Sequence, residues 1–244
     1  MSLLFPSLSS FGERVRSGSR LAAATALAFA MSIASAPAVD GERSDLIEGS
    51  AGEAIYGGDQ LEALPGSGEI VYDYTMEGEL LEEPFHDEVR LKFSESEERP
   101  GNLDFEIALF PETGSLVLPT TADTVNPIML VYFQRDANFM SRNTGGSPQF
   151  FRSSLRTMLG EPAEVEEVTI KVDGQDVPAQ RLTLLPYDNE EARERMPDFA
   201  KKSYSITLSS EIPGRVYELS TAVPAADGDG ERLRETYRFR ELIQ

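Results

Sequence analysis

Residues 68–93 read GEIVYDYTMEGELLEEPFHDEVRLKF, and the alternation of side chains within them decides the fold. From Ile70 to Met76 a large apolar or aromatic residue occupies every second position, and the same period returns after a polar break that contains Pro84. A period of two is typical of a half-buried β-strand, because successive side chains point to opposite faces of a sheet. The stretch therefore predicts two strands joined by a short connection.

The alternation recurs along the rest of the chain, between short connections that contain Pro, Gly or Asn. Asp173-Gly174 is a strong signal for a two-residue hairpin, and Pro213-Gly214 marks another reversal. Residues 188–191 resemble a capping box and predict a short helix that Pro197 interrupts. Eight or nine strands are predicted in all, as in an antiparallel meander.

Residues 126–160 interrupt the strands with apolar residues at helical spacing. Asn126-Pro127 suits the start of one helix, since asparagine caps a free N–H and proline has no N–H to leave unpaired. Ser147-Pro148 suits the start of a second helix, which Gly160 ends. We therefore expect residues 67–244 to form a single α+β domain, a curved antiparallel β-sheet or half-open barrel covered by a two-helix hairpin.

The first 38 residues have the composition of an export signal. Three arginines precede an apolar run from Leu21 to Ile33, and small residues with A-x-A-like cleavage sites follow it. The run is shorter than the ~20 apolar residues that a membrane-spanning helix needs. We therefore expect residues 1–38 to be a cleaved signal peptide and residues 39–66 a flexible acidic leader. The mature protein is predicted to be soluble in the periplasm and not membrane-spanning.

The composition excludes several kinds of chemistry. The chain has no cysteine, which rules out disulfides, thiolate metal ligands and cysteine nucleophiles. Its formal net charge of −20 argues against binding to nucleic acid or to anionic membrane surfaces. His86 is the only histidine, and no Gly-x-Ser-x-Gly motif accompanies it. The sequence therefore assigns no catalytic residue, no metal ligand and no cofactor.

The predicted helices are basic within an otherwise acidic chain. A helix N-terminus beside a glycine turn offers free N–H groups to an anion, and arginine offers a planar fork of donors. This pattern indicates either a phosphate or carboxylate contact or a well-capped turn whose arginines pair with the acidic surface. The candidate anion-binding residues are Arg135, Arg142, Gly145, Gly146, Ser147, Arg152 and Arg156.

The aromatic and methionine side chains of the same helices also allow two interpretations. Such side chains adapt to varied ligands and can line an apolar cavity. Alternatively, they seal an ordinary core. The candidate cavity residues are Phe133, Met140, Phe150 and Phe151.

The helical segment resembles a motif of uncharacterised exported proteins of proteobacteria. The matching positions are Asn126-Pro127, Asp136, Met140, Arg142, Thr144-Gly145-Gly146-Ser147, Phe151-Arg152 and Arg156, and later Pro213 to Leu219. This resemblance covers residues 67–244 and implies export but no known activity. At the level of fold, the chain is also similar to periplasmic carriers of outer-membrane lipoproteins. That likeness implies a half-open barrel with helices as a lid over an apolar cavity.

Three functions stay open at this point, and we favour the first. It is an exported, soluble periplasmic binding or accessory protein that holds a lipid or other amphiphile, or docks a protein of the envelope. The second is a carboxylate-based hydrolase of envelope glycans, which needs two carboxylates ~5–9.5 Å apart across a cleft. The third is a structural interaction module that docks through a strand edge or an apolar patch.

Overall fold

The computed structural model describes residues 49–114, 116–225 and 230–244. The predicted signal peptide and residues 39–48 of the predicted leader lie outside these residues. The elements in chain order are α1 (Ala51–Tyr56), β1 (Ser67–Glu77), β2 (Phe85–Glu95), β3 (Leu103–Leu109), β4 (Leu116–Ala122), α2 (Ile128–Thr144), α3 (Pro148–Leu159), β5 (Val165–Val172), β6 (Gln175–Leu184), α4 (Glu190–Arg195), β7 (Ser203–Leu208), β8 (Val216–Pro224) and β9 (Glu231–Ile243).

All nine strands belong to one sheet, in the order β4-β3-β2-β1-β9-β8-β7-β6-β5. Every neighbouring pair is antiparallel. Two meanders, β1–β4 and β5–β9, therefore meet where β1 pairs with β9 and Tyr74 lies opposite Tyr237. The sheet is open, with β4 and β5 at its ends. This confirms the predicted α+β class and its large antiparallel sheet.

The main core lies between one face of the sheet and α2. On β1 the alternation places Ile70, Tyr72 and Tyr74 in this core, where Tyr132 and Met140 of α2 are also fully buried. The hydroxyl of Tyr132 donates a hydrogen bond of 2.6 Å to the carbonyl of Ser220 in β8. Burial of apolar surface supplies most of the stabilisation here, and the hydroxyl contact fixes where α2 sits.

Asn126 ties the start of α2 to the sheet. Its side-chain oxygen accepts the N–H of Ile128 at 3.1 Å, just before the first turn, although the N-cap position of the helix is Pro127 rather than the predicted Asn126. Its amide nitrogen donates to the hydroxyl of Tyr72 and to the carbonyl of Gly214. Because these groups are buried, the asparagine fixes the start of the helix on β1.

The structure differs from the sequence prediction at residues 49–66, which are folded rather than part of a leader. Ala51, Ile55 and Leu61 are buried in the main core, and Ser50 caps α1 by accepting the N–H of Glu53. The side-chain oxygen of Gln60 accepts the N–H of Asn126 at 2.8 Å. A six-residue helix shows less than two turns of periodicity, which is why pattern reading missed it.

Two small residues form the connection between α2 and α3. Gly145 ends α2 with φ +78°, a left-handed conformation that favours glycine, and its N–H donates to Ser141. Ser147 begins α3 by accepting the N–H of Phe150 at 3.1 Å. α3 then packs against α2, so residues 145–147 reverse the chain between two contacting helices.

Candidate functional site

α2 buries a carboxylate against the sheet. Lys202 and Tyr204 both donate hydrogen bonds to Asp136, and all three side chains are almost inaccessible to solvent. Burial raises the pKa of Asp136 above its ordinary value, while the Lys202 ammonium and the Tyr204 hydroxyl oppose that rise. The hydroxyl of Tyr187 lies 3.2 Å from that of Tyr204 and extends the network. This cluster joins α2 to the start of β7 and to the segment before α4.

The neighbouring residue of α2 makes a second polar contact with the sheet. Arg135 donates to the hydroxyl of Tyr237 at 2.9 Å and lies 3.5 Å from the carboxylate of Glu235. Tyr74 donates to the same carboxylate at 2.7 Å. The guanidinium also stacks over the ring of Phe110, 4.5 Å from its centroid. Arg135, a candidate anion-binding residue, is therefore already engaged with an internal carboxylate.

A half-open cavity of about 510 Å³ lies where α2 passes into α3 and faces α4. Its lining comprises Thr144, Gly145, Gly146, Ser147, Phe150, Phe151, Ser154, Tyr187, Asn189, Glu191, Ala192, Arg195 and Met196. The volume is within the range of small-molecule sites. We take this cavity as the candidate site, because it is the place where the predicted glycine turn and the predicted aromatic residues meet.

The cavity has an apolar floor and a polar rim. Its buried lining residues are apolar or aromatic, namely Phe151, Tyr187, Ala192 and Met196. The exposed ones are mostly polar or charged, and include Ser147, Asn189, Glu191 and Arg195. An arrangement of this kind matches a molecule with an apolar part and a polar end.

Gly146 allows the floor to form. A Cβ at this position would lie 2.9 Å from the ring of Phe151, so a side chain here would displace that ring. The Phe151 ring is 1% exposed and meets the ring of Tyr187 edge to face, with 5.7 Å between the ring centroids. The turn sequence thus sets the shape of the cavity as well as the direction of α3.

The structure brings together only some of the predicted anion-binding residues. Gly145, Gly146 and Ser147 line the cavity. Arg142 and Arg156 lie in the last turns of α2 and α3 and are exposed, outside the lining. The remaining candidate on α3, Arg152, donates to Gln134 at 3.1 Å and to Gln149 at 3.2 Å.

The predicted apolar residues also divide between two places. Phe150 and Phe151 line the cavity, with Phe150 40% exposed. Met140 is fully buried in the main core, and Phe133 is half-buried against it. The middle of α2 is packed onto the sheet, and the cavity lies at the end of the helix.

Sequence reasoning missed the α4 side of the cavity. Asn189 caps α4 by accepting the N–H of Ala192 at 2.9 Å, and Arg195 pairs with Glu191 at 3.2 Å. The capping pattern at residues 188–191 was visible, but nothing in the pattern shows that this helix faces Ser147, about forty positions earlier. Lys202 was missed for the same reason, since its partner Asp136 is 66 positions away.

The lining of this cavity lacks the carboxylate pair that a glycan hydrolase needs. Glu191 is the only acidic residue that lines the site described above. Across residues 49–114, 116–225 and 230–244, no group of three His, Cys, Asp or Glu side chains is arranged to hold a metal ion.

No family model and no curated protein matches the chain. Among solved structures, the fold is similar to that of lipoprotein LppX from Mycobacterium tuberculosis, at a TM-score of 0.31 and 10% identity over 76% of this chain and 92% of that one. LprF from Mycobacterium bovis matches at a TM-score of 0.28 and 13% identity, over 78% of this chain and 92% of that one. A LolA superfamily protein from Nitrosomonas europaea matches at a TM-score of 0.21 and 8% identity, over 80% of this chain and 93% of that one.

The exported family and the motif that the sequence suggested are not matched by any family model. At such TM-scores and identities the likenesses say nothing about ligand or function. Within the described part of the chain, no helix has the length and apolar character needed to cross a membrane.

Proposed function

We propose that the chain is an exported binding or accessory protein that holds a small apolar or amphiphilic ligand in the cavity beside α4. The observation that carries this proposal is the division of the 510 Å³ cavity into a buried apolar floor and an exposed polar rim. In the same proposal α2 and α3 act as the predicted two-helix cover of the sheet, and their connection forms one wall of the ligand site.

The ligand's apolar part packs against Phe151, Tyr187 and Met196 in this proposal. Its polar end meets the rim at Ser147 and Asn189. The oxygens of both side chains accept backbone N–H groups, so the Ser147 hydroxyl proton and the Asn189 amide hydrogens are left to serve as donors to the ligand. Burial of a short alkyl chain supplies about 0.8 kcal/mol per methylene, and the donors orient the polar end.

Export to the periplasm is part of the proposal and is supported by the composition of residues 1–38. Docking of an envelope protein stays an alternative use of the same surface, because Phe150 is exposed at the rim. A protein partner would cover Phe150, whereas a small ligand would also reach the floor. The two uses therefore predict different responses to ligand size.

The test is a titration of the purified protein with sodium dodecanoate below its micelle concentration, followed by calorimetry. We expect saturable binding by the wild type and a roughly tenfold weaker affinity for Phe150→Ala, because the variant loses the contact area that the ring offers to the ligand. The variant should still fold, because an exposed ring contributes little to the stability of the protein. Leu130→Ala is the matched control, because Leu130 is 63% exposed on α2 and does not line the cavity. Equal affinity of wild type and Phe150→Ala, or no binding, would contradict the proposal.

Phe151→Ala separates the floor from the rim. Its ring is buried, so we expect a loss of about 3 kcal/mol in the free energy of unfolding, at the low end for Phe→Ala because one side of the ring already faces a cavity. Phe150→Ala is expected to lose less than about 1 kcal/mol. Urea unfolding of the two variants measures the difference, and equal losses would mean that the floor and rim are assigned wrongly.

A further inference from the structure

A second cavity, of about 350 Å³, lies beside α1 and strands β5 to β7 and is separate from the site described above. Its apolar lining includes Ile55 of α1 and Leu208 of β7, and its polar lining includes Arg215 and Ser210. Gln60 forms a fixed part of the wall, because it is buried and both ends of its amide are hydrogen-bonded. The wall is therefore shaped before any ligand enters.

Arg215 is the only basic residue in this lining, and it has no charged partner among the residues that the structure describes. Its guanidinium makes one long hydrogen bond, 3.5 Å to the carbonyl of Asp59. Within the described part of the chain no carboxylate comes within 4.0 Å of it, whereas Arg195 in the other cavity is paired with Glu191. The chain has a net charge of −20, yet this guanidinium is half-buried and most of its hydrogen-bond donors are unused. Such a group can bind an anion.

The backbone of Arg215 has a conformation that favours glycine. Its φ is +58°, in the left-handed region, and two hydrogen bonds fix it there: its N–H donates to Ile212 at 2.7 Å and its carbonyl accepts from Ser209 at 2.9 Å. A side chain with a Cβ is disfavoured in that conformation. Backbone strain of this kind is concentrated at functional sites, and here it places a charged side chain at a cavity.

The space for the guanidinium is provided by a glycine on the opposite segment. A Cβ at Gly58 would lie 2.4 Å from Nη1 of Arg215, so the guanidinium rests against bare backbone. Glu167 lines the same cavity and accepts a hydrogen bond of 2.9 Å from Gln180. Its negative charge opposes a doubly charged ligand more strongly than a singly charged one.

We propose that this cavity binds a small monocarboxylate with a short alkyl chain. The carboxylate pairs with the planar fork of Arg215 and accepts from the hydroxyl of Ser210, and the alkyl chain packs between Ile55 and Leu208. The site is independent of the proposed amphiphile cavity, which lies at the other end of α2 and shares no lining residue with it.

The experiment is an amide NMR titration of the full chain with butyrate, acetate and inorganic phosphate. We expect butyrate to bind in the millimolar range and to shift the amides of Gly58, Ser210 and Arg215. Acetate should bind more weakly, by up to about fourfold for each methylene lost. Phosphate should bind more weakly than butyrate, because it is partly doubly charged at neutral pH and lacks the alkyl chain.

Arg215→Gly is the decisive variant, because glycine suits the backbone there and the variant should fold at least as well as the wild type. It should lose at least tenfold in butyrate affinity, while Arg156→Gln, on the exposed end of α3, should keep the wild-type affinity. The proposal is overturned if Arg215→Gly binds butyrate as the wild type does, if the shifts centre on residues 145–147, or if butyrate does not bind. Phosphate binding as tight as butyrate would overturn the preference for a monocarboxylate.

Discussion

The two faces of the sheet differ in how far their ion pairs are exposed to solvent. On the outer face, Arg240 lies 2.8 Å from Asp73 and 2.7 Å from Glu88, and Arg90 lies 2.6 Å from Glu88. The two arginines are about one-third exposed. On the face beneath α2, by contrast, Asp136 and Lys202 are paired with almost no exposure.

The difference concerns what happens when a partner is lost. An exposed charge that loses its partner is solvated by water, so the pair contributes little net stability. A buried charge that loses its partner stays in a medium of low polarity, where its desolvation is uncompensated. We therefore expect perturbations of the inner face to unfold the chain and perturbations of the outer face to shift local pKa values. Three predictions test this contrast.

The largest effect is expected at alkaline pH. Six of the eight tyrosines are fully or almost fully buried on the inner side, and burial is the main reason that the pKa of each is raised: Tyr72, Tyr74, Tyr132, Tyr187, Tyr204 and Tyr237. The unfolded chain releases phenol protons near the ordinary pKa of 10.0, whereas the folded chain retains them. Stability is therefore intact below pH 10 and falls as the pH rises above it.

Tyrosinate absorbance and circular dichroism, recorded in one pH titration, check this prediction. The six buried tyrosines should ionise only in step with the loss of β-structure. Ionisation of more than two tyrosines at a pH where the circular dichroism is still native would show that the hydroxyl network is open to solvent.

The next largest effect is expected from Lys202→Met, which leaves the Asp136 carboxylate buried without its cation. We expect a loss of about 3–5 kcal/mol in the free energy of unfolding at pH 7. Because the pKa of Asp136 is already raised by burial and loses an opposing charge in the variant, the folded variant binds a proton more readily. The deficit should therefore shrink as the pH is lowered towards 5.

Chemical denaturation at the two pH values measures both parts of this prediction. The matched control is the double variant Asp136→Leu/Lys202→Met, which replaces the pair by apolar side chains and should recover most of the loss. If the single variant is as stable as the wild type, then the pair does not hold α2 to the sheet and the contrast between the faces fails.

The local features of this fold could be predicted from the sequence because they are encoded within a few residues of one another. Alternation gave the strands, and the residues around Asn126 and Ser147 gave the helix starts. The pairing of β1 with β9 has no such local signal, since Tyr74 and Tyr237 are 163 positions apart. α1 was not predicted, because six residues are too few to show a helical period.

The candidate site divides in the same way. Gly145 to Phe151 form one continuous stretch, so their joint contribution to a cavity could be anticipated. Tyr187, Asn189 and Arg195 belong to a later segment that only the tertiary fold brings to face them. The engagement of Arg135 with Glu235 and Tyr237 could not be anticipated either, because a helical pattern shows which face is apolar but not which charge finds a buried partner.

The smallest effect is expected on the outer face, from Arg240→Gln. A hydrogen bond from Arg240 is the main reason that the pKa of Glu88 lies below its ordinary value of 4.5, with a further contribution from Arg90. A lowered folded pKa contributes stability that is present above the unfolded pKa and is lost as the pH falls through the folded one. The variant should therefore raise the pKa of Glu88 towards 4.5. It should lower the free energy of unfolding above that pH by less than about 1 kcal/mol, since Arg240 is 35% exposed and its interactions are screened by solvent.

Carbon-detected NMR titration of the Glu88 carboxyl, at physiological ionic strength and in about 1 M salt, separates the local effect from a global one. The added salt shortens the Debye length from about 8 Å to about 3 Å. Salt should reduce the wild-type pKa shift because the ion pairs are partly exposed, and it should reduce the variant's smaller shift by less, because only the Arg90 pair remains there. A loss of stability from Arg240→Gln as large as that from Lys202→Met would mean that exposure does not distinguish the two faces. An exposed charge would then be as hard to replace as a buried one, and the tight packing of α2 on the sheet would no longer explain why Lys202 matters.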